Sequence, residues 1–224
     1  MITTLLFDLD GTLVNTIDDL ANAVDYTLNQ YNISSNYTVD DYKMMVGNGV
    51  SKLVERAFNG RIDDNEIVNA LTVFKKRYNE TLLCCSKPYD GIVEMIHSLS
   101  ELGFNIAVVT NKPQDSAQII INKFFNDNEI HLVVGQRDKI PCKPNPDQVN
   151  IAKEFFNVDS ENCIFIGDSK TDIETAINSN MKSIGVLWGF RQKNELLCAK
   201  ADYILQTVKE LNIFLKNFKK SVDK

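Results

Sequence analysis

The chain has 224 residues and a formal net charge of −6, enough length to bury a full core as one large domain or as one domain with an insertion. The acidic balance excludes a nucleic-acid binder, which needs a basic face. Five cysteines without a C-x-x-C spacing make neither a disulfide framework nor a zinc site. No basic leader precedes the first apolar segment and no apolar run is long enough to span a bilayer, so a cytoplasmic protein with free thiols and no membrane partner is expected.

An apolar run from Thr3 to Phe7 predicts a buried parallel strand that stops abruptly at Asp8-Leu9-Asp10-Gly11-Thr12. Side chains alternate along an extended segment, so Asp8 and Asp10 face the same way just past the strand's carboxyl end, where open α/β sheets bind ligands. Gly11, with no Cβ, lets backbone approach a ligand. The periodicity then turns helical. Ile17, Leu20, Ala21, Val24 and Leu28 form one stripe, and Ile67, Ala70, Leu71, Phe74, Tyr78 and Leu82 form another. Met44, Met45, Leu53 and Ala57 predict two shorter helices around the Gly47-Asn48-Gly49 turn. This stretch far exceeds one crossover helix, so residues 16–85 are expected to form an inserted helical bundle, with 1–15 and 86–224 as the main domain. Helices are predicted over 91–102, 114–125, 146–156 and 171–179. They alternate with strands over 105–110, 131–135, 162–167 and 183–187; a short strand near 202–205 precedes a terminal helix. Val208, Leu211, Leu215, Phe218 and Val222 line one face of that helix and its lysines the other. The alternation predicts a doubly wound, mostly parallel Rossmann-like α/β sheet.

Two further apolar runs end in polar residues: one at Thr110-Asn111-Lys112, the other at Gly167-Asp168 with Asp172 four residues on. Lys143 stands before a Pro-Asn-Pro turn and a helix start. With the Asp8–Thr12 segment, these four motifs in this order resemble the haloacid dehalogenase superfamily. Within it the chain resembles phosphoglycolate phosphatases, through Val46-Gly47-Asn48-Gly49, Leu53-Val54-Glu55-Arg56-Ala57, Pro88-Tyr89-Asp90-Gly91, Val109-Thr110-Asn111-Lys112-Pro113 and Gly135-Gln136-Arg137. Asn15 departs from the acid that many relatives carry there. The resemblance implies a helical cap at the insertion and a strand order 3-2-1-4-5, which brings Asp8, Asp10 and Asp168 together in one crevice.

His97 and His131 accompany no motif, so acid–base work falls to carboxylates. Phosphate-monoester hydrolysis asks an enzyme to remove more than about 20 kcal/mol of barrier. A carboxylate nucleophile divides that task by forming an acyl-phosphate; Asp8 is the candidate, with Asp10 as acid and then base. A phosphate dianion meeting these acids faces repulsion of about 4 kcal/mol per close pair at an effective dielectric near 20. Lys143 offsets part of it, and Mg2+ suits an all-oxygen site. The resemblance implies Asp8, the Asp10 carbonyl and Asp168 as metal ligands, with Asp172 acting directly or through water. It also implies that Thr110, Lys143 and the amides of Leu9, Gly11 and Asn111 hold the phosphoryl group. In the cap, Gly47, Asn48 and Gly49 with Lys52 or Arg56 are candidates for substrate selection. The expected partner is a small phosphorylated metabolite, 2-phosphoglycolate first; monomer and homodimer stay open. A β-phosphoglucomutase-like sugar phosphomutase and an inorganic pyrophosphatase are the rival readings on this scaffold.

Overall fold

The computed structural model of the protein describes residues 1–220, and its elements follow the apolar runs. The fully buried strand β1 (Thr4–Phe7) leads through a short strand β2 (Val14–Asn15) into four helices, α1 (Ile17–Gln30), α2 (Val39–Met45), α3 (Val50–Phe58) and α4 (Asp64–Thr81). Strand β3 (Lys87–Pro88) returns antiparallel to β2. The rest alternates: α5 (Ile92–Glu101), β4 (Asn105–Pro113), α6 (Gln114–Phe124), β5 (Leu132–Gln136), α7 (Asp147–Phe156), β6 (Cys163–Gly167), α8 (Lys170–Asn178), β7 (Lys182–Val186), α9 (Lys193–Cys198), β8 (Tyr203–Leu205) and α10 (Val208–Lys220).

The main sheet has six strands in the order β5-β4-β1-β6-β7-β8, every pairing parallel. This is the expected order with β8 added at one edge. Its strands are apolar on both faces because helices cover both. Leu5 and Phe7 pack in one layer with Ile92 of α5, Ile120 of α6 and Leu211 of α10. Leu6 and Phe165 pack in the other with Val149 and Ala152 of α7 and Ala176 of α8. In the register, Phe7 lies level with Val108 and Ile166. The chain therefore leaves β1 and β6 at the same height, at the point where the strand order reverses.

Helices α1–α4 share a separate core of Leu20, Val24, Leu53, Phe58, Phe74 and Tyr78, which Phe190 joins from the loop after β7. Thr38 with Asp41 and Asp63 with Glu66 form capping boxes that start α2 and α4. At the crossing between bundle and sheet, the buried Asp19 carboxylate accepts from the Cys85 and Ser86 amides, both at 2.9 Å, and from the Ser86 hydroxyl at 2.5 Å. Among the described residues, no helix is long and apolar enough to cross a membrane.

Several details differ from the sequence reading. The β2–β3 ribbon and α9 were not expected; two-residue strands carry no period, and α9 buries only Leu196. Met44 is exposed, and Tyr42 fills the bundle core from α2 instead. Strand β4 continues past residue 110 to Pro113 with a register shift after Val109. His97 pairs with Glu129 at 2.8 Å, and His131 accepts from the Ile106 amide at 3.1 Å, both away from the strand ends that carry the motifs. On α10, Leu211 and Leu215 are buried; Val222 and Lys224 lie outside the described residues.

Candidate active site

Asp8 and Asp10 leave β1 into a cleft between the sheet's carboxyl edge and the helical bundle. Three loops reach the same point. Thr110, Asn111 and Lys112 come from β4, Asp168 and Ser169 follow β6, and Lys143 precedes α7. The buried Lys143 ammonium lies 2.9 Å from Asp8 Oδ1 and 2.7 Å from Asp172 Oδ1. Burial opposes its charge, but Asp172 and Asp8 outweigh that and push it up to about 12. Asp172 is the third residue of α8, and its Oδ2 accepts from the Ser169 amide at 3.0 Å and hydroxyl at 2.7 Å. Both its oxygens are thus engaged with protein.

Asp8, Asp168 and Asp172 are all buried, with carboxylate oxygens within 4.8 Å of one another. Burial, assisted by Asp172 and Asp10, raises Asp8 to about 6 against the pull of Lys143. Asp168 is raised well above the usual carboxylate range by burial, then by Asp172 and Asp8; the Phe190 amide, 2.7 Å from its Oδ2, opposes this. Asp8 Oδ1 is buried and takes no well-directed hydrogen bond. Such concentrated negative charge, which the Lys143 ammonium offsets only in part, is what a hard divalent cation would neutralise, and the donors are all oxygen. Glycines make the crowding possible. A Cβ on Gly11, whose φ is +85°, would sit 2.6 Å from Asp168 Oδ2, and one on Gly189 would sit 2.3 Å from the Gly11 carbonyl oxygen and from Asp168 Cβ.

Asp10 is held differently. Its Oδ1 accepts from Thr16 Oγ1 at 2.7 Å, and Lys112 Nζ lies 2.9 and 3.2 Å from its two oxygens. Lys112 is buried, with its ammonium 4.9 Å from the centre of the Tyr78 ring of α4. Burial opposes its charge too, yet Asp10 and Tyr78 raise it above the ordinary lysine value. Lys112 belongs to the Thr110-Asn111-Lys112 segment, but its pairing with Asp10, 102 residues away in sequence, is not signalled there.

The expected phosphoryl-binding groups are partly committed to protein. The Gly11 amide donates to Val14 O at 3.0 Å, so Gly11 contributes close approach rather than a free donor there. Thr110 Oγ1 accepts from the Lys112 amide at 3.3 Å, which leaves its own hydrogen to donate. Leu9 is fully buried beside them. The Asn111 side chain ties three segments together: it donates to Gly47 O and Lys143 O, both at 3.0 Å, and accepts from the Lys143 amide at 2.7 Å.

Of the cap candidates, Gly47 and Gly49 line the cleft. Asn48 bridges to Thr171 on α8 at 3.2 Å. Arg56 does not line the cleft; it donates to Met45 O and Asn48 Oδ1, both at 2.7 Å, and so braces the loop over 45–49. Lys52 forms an exposed pair with Glu55 at 2.6 Å. The structure instead brings Arg191 to the cleft; its guanidinium donates to the Lys43, Met44 (3.3 Å) and Val46 (2.7 Å) carbonyls at the end of α2, clamping bundle to sheet. No motif signalled Arg191: its contacts to the bundle are all to main-chain carbonyls, which leave no mark in side-chain identity, and its one side-chain ion pair, with Glu195 at 3.3 Å, stays within its own loop and α9.

Comparison with known proteins agrees with this geometry. Residues 5–186 match the haloacid dehalogenase-like hydrolase family. The chain is 37% identical over 218 residues to a phosphoglycolate phosphatase of Colwellia psychrerythraea, covering 95% of this chain and 96% of that one. It is 27% identical to pyrophosphatase PpaX of Anoxybacillus flavithermus, covering 94% and 95%. A crystal structure from Lactobacillus delbrueckii subsp. bulgaricus superposes with a TM-score of 0.89 at 31% identity, over 94% of this chain and 96% of that one. The chain is an enzyme of the haloacid dehalogenase-like hydrolase family.

Proposed function

We propose that the protein is a cytoplasmic, Mg2+-dependent phosphatase that hydrolyses 2-phosphoglycolate to glycolate and phosphate through an aspartyl-phosphate on Asp8. The observation that carries the reading is the pairing of the two strand-end acids with separate cations: Asp8 with Lys143 and Asp10 with Lys112. Of the two, only Asp8 lies in the cluster with Asp168 and Asp172 where a cation would sit, which suits it to attack phosphorus and leaves Asp10 as the proton carrier.

In the first half-reaction an Asp8 oxygen attacks phosphorus, and the departing ester oxygen takes its proton from Asp10. In the second, water attacks the same phosphorus, its proton passes to Asp10, and the P–O bond to Asp8 breaks with its electron pair returning to the carboxylate. Lys143 supports Asp8 in both, and Asp172 keeps Lys143 in place. The Thr110 hydroxyl is aimed to donate to a phosphoryl oxygen. Asp8, Asp168 and the Asp10 carbonyl would hold Mg2+, with Asp172, both of whose oxygens are engaged, contributing charge through water. When bound, the ion neutralises phosphoryl charge.

A small substrate suits a cleft that Leu20, Val46, Val50 and Leu53 of the bundle cover. The 37% identity to a phosphoglycolate phosphatase over nearly the whole of both chains supports 2-phosphoglycolate in particular. The similarity to pyrophosphatase PpaX favours pyrophosphate as the second reading. A panel of small phosphate esters, sugar phosphates and pyrophosphate, read by released phosphate, separates them. The highest kcat/KM on 2-phosphoglycolate is expected; pyrophosphate above every monoester, or sugar phosphate isomerised without phosphate release, would replace this reading.

A further inference from the structure

Strand β4 does not run evenly beside β5. Val109 lies level with Val134 and Pro113 with Gln136, so β4 takes four steps where β5 takes two. The surplus pushes the Thr110-Asn111-Lys112 segment out of the ladder, and a bulge beside a cleft re-aims side chains. Side-chain amides meet the main chain on both sides of the shift. Gln114, the first residue of α6, donates to Val133 O at 3.1 Å and accepts from the Gly135 amide at 2.6 Å. Gln148, fully buried as the second residue of α7, donates to Thr110 O at 3.1 Å. That carbonyl can only accept, so the amide nitrogen faces it. Among the described residues, Gln148 Oε1 is buried without a partner. The Thr110 carbonyl and the Asn111 N–H belong to one planar peptide unit and point in opposite directions. Anchoring the carbonyl on α7 therefore fixes the direction of the N–H, while the Asn111 side chain ties the same segment to the Lys143 main chain at 3.0 and 2.7 Å.

We propose that Gln148 and Gln114 are positioning residues for the phosphoryl group: their amides hold the β4 bulge in shape, and Gln148 sets the peptide unit from which the Asn111 N–H and the Thr110 hydroxyl reach that group. The inference rests on the assignment of Thr110 and Asn111 as phosphoryl-binding groups. Neither glutamine lines the cleft, so each acts through the main chain it holds. The strand ladder fixes Val108 and Val109 against β5, and past the shift the two amides take its place. Oxyanion donors stabilise a transition state only when they are aimed in advance at the charge that develops. A buried amide with one end unpaired adds little to stability, because an unpaired polar atom costs about as much as one hydrogen bond contributes. Gln148 therefore bears on aim more than on folding.

The test is Gln148→Met and Gln114→Met, with Thr110→Val as reference. It is read by inhibition with orthovanadate, a mimic of the five-coordinate transition state, and by kcat/KM on p-nitrophenyl phosphate. Gln148→Met is expected to weaken orthovanadate inhibition and to lower kcat/KM by a similar factor of about 10, the cost of misaiming one hydrogen bond to a charged group. Its Tm should stay within about 3 °C of wild type, a small change for a domain of this size. The Mg2+ concentration for half-activity should stay within about twofold, because no support of a metal ligand is disturbed. Gln114→Met, which loosens the β5 side of the bulge, should weaken orthovanadate inhibition by about threefold. Gln148→Met combined with Thr110→Val should lose less than the product of the single losses, because both disturb donors on one bulge. Unchanged orthovanadate inhibition in Gln148→Met, or a loss that multiplies fully with that of Thr110→Val, would make Gln148 a packing residue and overturn the proposal. A parallel rise in the Mg2+ requirement would move the effect to the metal and overturn it too. If Gln148→Met does not fold, unchanged inhibition in Gln114→Met overturns it. Full orthovanadate inhibition of Thr110→Val would remove the assignment of Thr110 and the proposal with it. Orthovanadate reads the phosphoryl site whichever ester is preferred, so pyrophosphate leading the substrate panel would replace the proposed substrate and leave this inference standing.

Discussion

Replacing Asp8 with Asn should destroy activity and yet stabilise the metal-free protein. The carboxyl is buried, and its rise from 3.8 to about 6 already includes the opposing attraction of Lys143. A rise of roughly two units corresponds to about 3 kcal/mol of ionisation cost in the folded state. The folded state thus binds this proton more tightly than the unfolded chain. The wild type loses that contribution as pH rises from about 4 through about 6, and above this range the whole cost is present. Asn has a similar shape and carries no charge, so it escapes the loss. In excess chelator at pH 8, Asp8→Asn should be more stable by up to about 3 kcal/mol, or about 6–12 °C in Tm for a domain of this size. Near pH 4 the two proteins should converge. Mg2+ should reverse the order, because an ion bound only by the folded state stabilises the wild type by mass action. Thermal melts of both proteins at pH 4, 6 and 8, with chelator and with Mg2+, make the comparison. A variant no more stable than wild type at pH 8 in chelator would refute the claim that Asp8 is destabilised by its burial among acids.

Chelation should abolish phosphate release and Mg2+ restore it. Ca2+ should bind but support poor turnover, because its looser, larger coordination misplaces the reacting oxygens; full activity in chelator would remove the metal from the mechanism. Gly189→Ala, whose Cβ would meet Asp168 Cβ and the Gly11 carbonyl at 2.3 Å, should raise the Mg2+ concentration for half-activity by about 10-fold or more, comparable to losing a ligand's supporting contacts; a Mg2+ titration reads it. Arg56→Ala should lower kcat/KM on 2-phosphoglycolate and p-nitrophenyl phosphate to similar extents, because Arg56 braces the 45–49 loop rather than lining the cleft. A loss restricted to 2-phosphoglycolate would make Arg56 a substrate contact after all.

What was legible in the sequence divides along a physical line. The parallel strands carry continuous apolar runs because both faces are covered, and each run stops where the chain leaves the core, so the positions of Asp8, Thr110 and Asp168 follow from hydrophobicity alone. Asp172 was found by its spacing, but its engagement in the start of α8 and with Lys143 needed coordinates, since one acid can cap, pair or ligate from the same position. The bundle was less legible. Its stripes located α1 and α4, whereas the choice among Lys52, Arg56, Lys112 and Arg191 depends on how bundle and sheet meet. Lys52 and Arg56 looked like substrate contacts because they stand near a glycine turn; in the fold, Glu55, Met45 and Asn48 occupy them. Lys112 and Arg191 reach the cleft from the sheet side. The partners that carry them to the cleft, Asp10 and the carbonyls ending α2, are distant in sequence, and no local period connects them; Glu195, four residues after Arg191, pairs with it but does not mark the bundle. Two surfaces that meet only in the folded molecule thus make the cleft. The proposed half-reactions draw on the strand ends, and the proposed selection of substrate draws on that junction, where Lys112 and Arg191 are the cations to alter first.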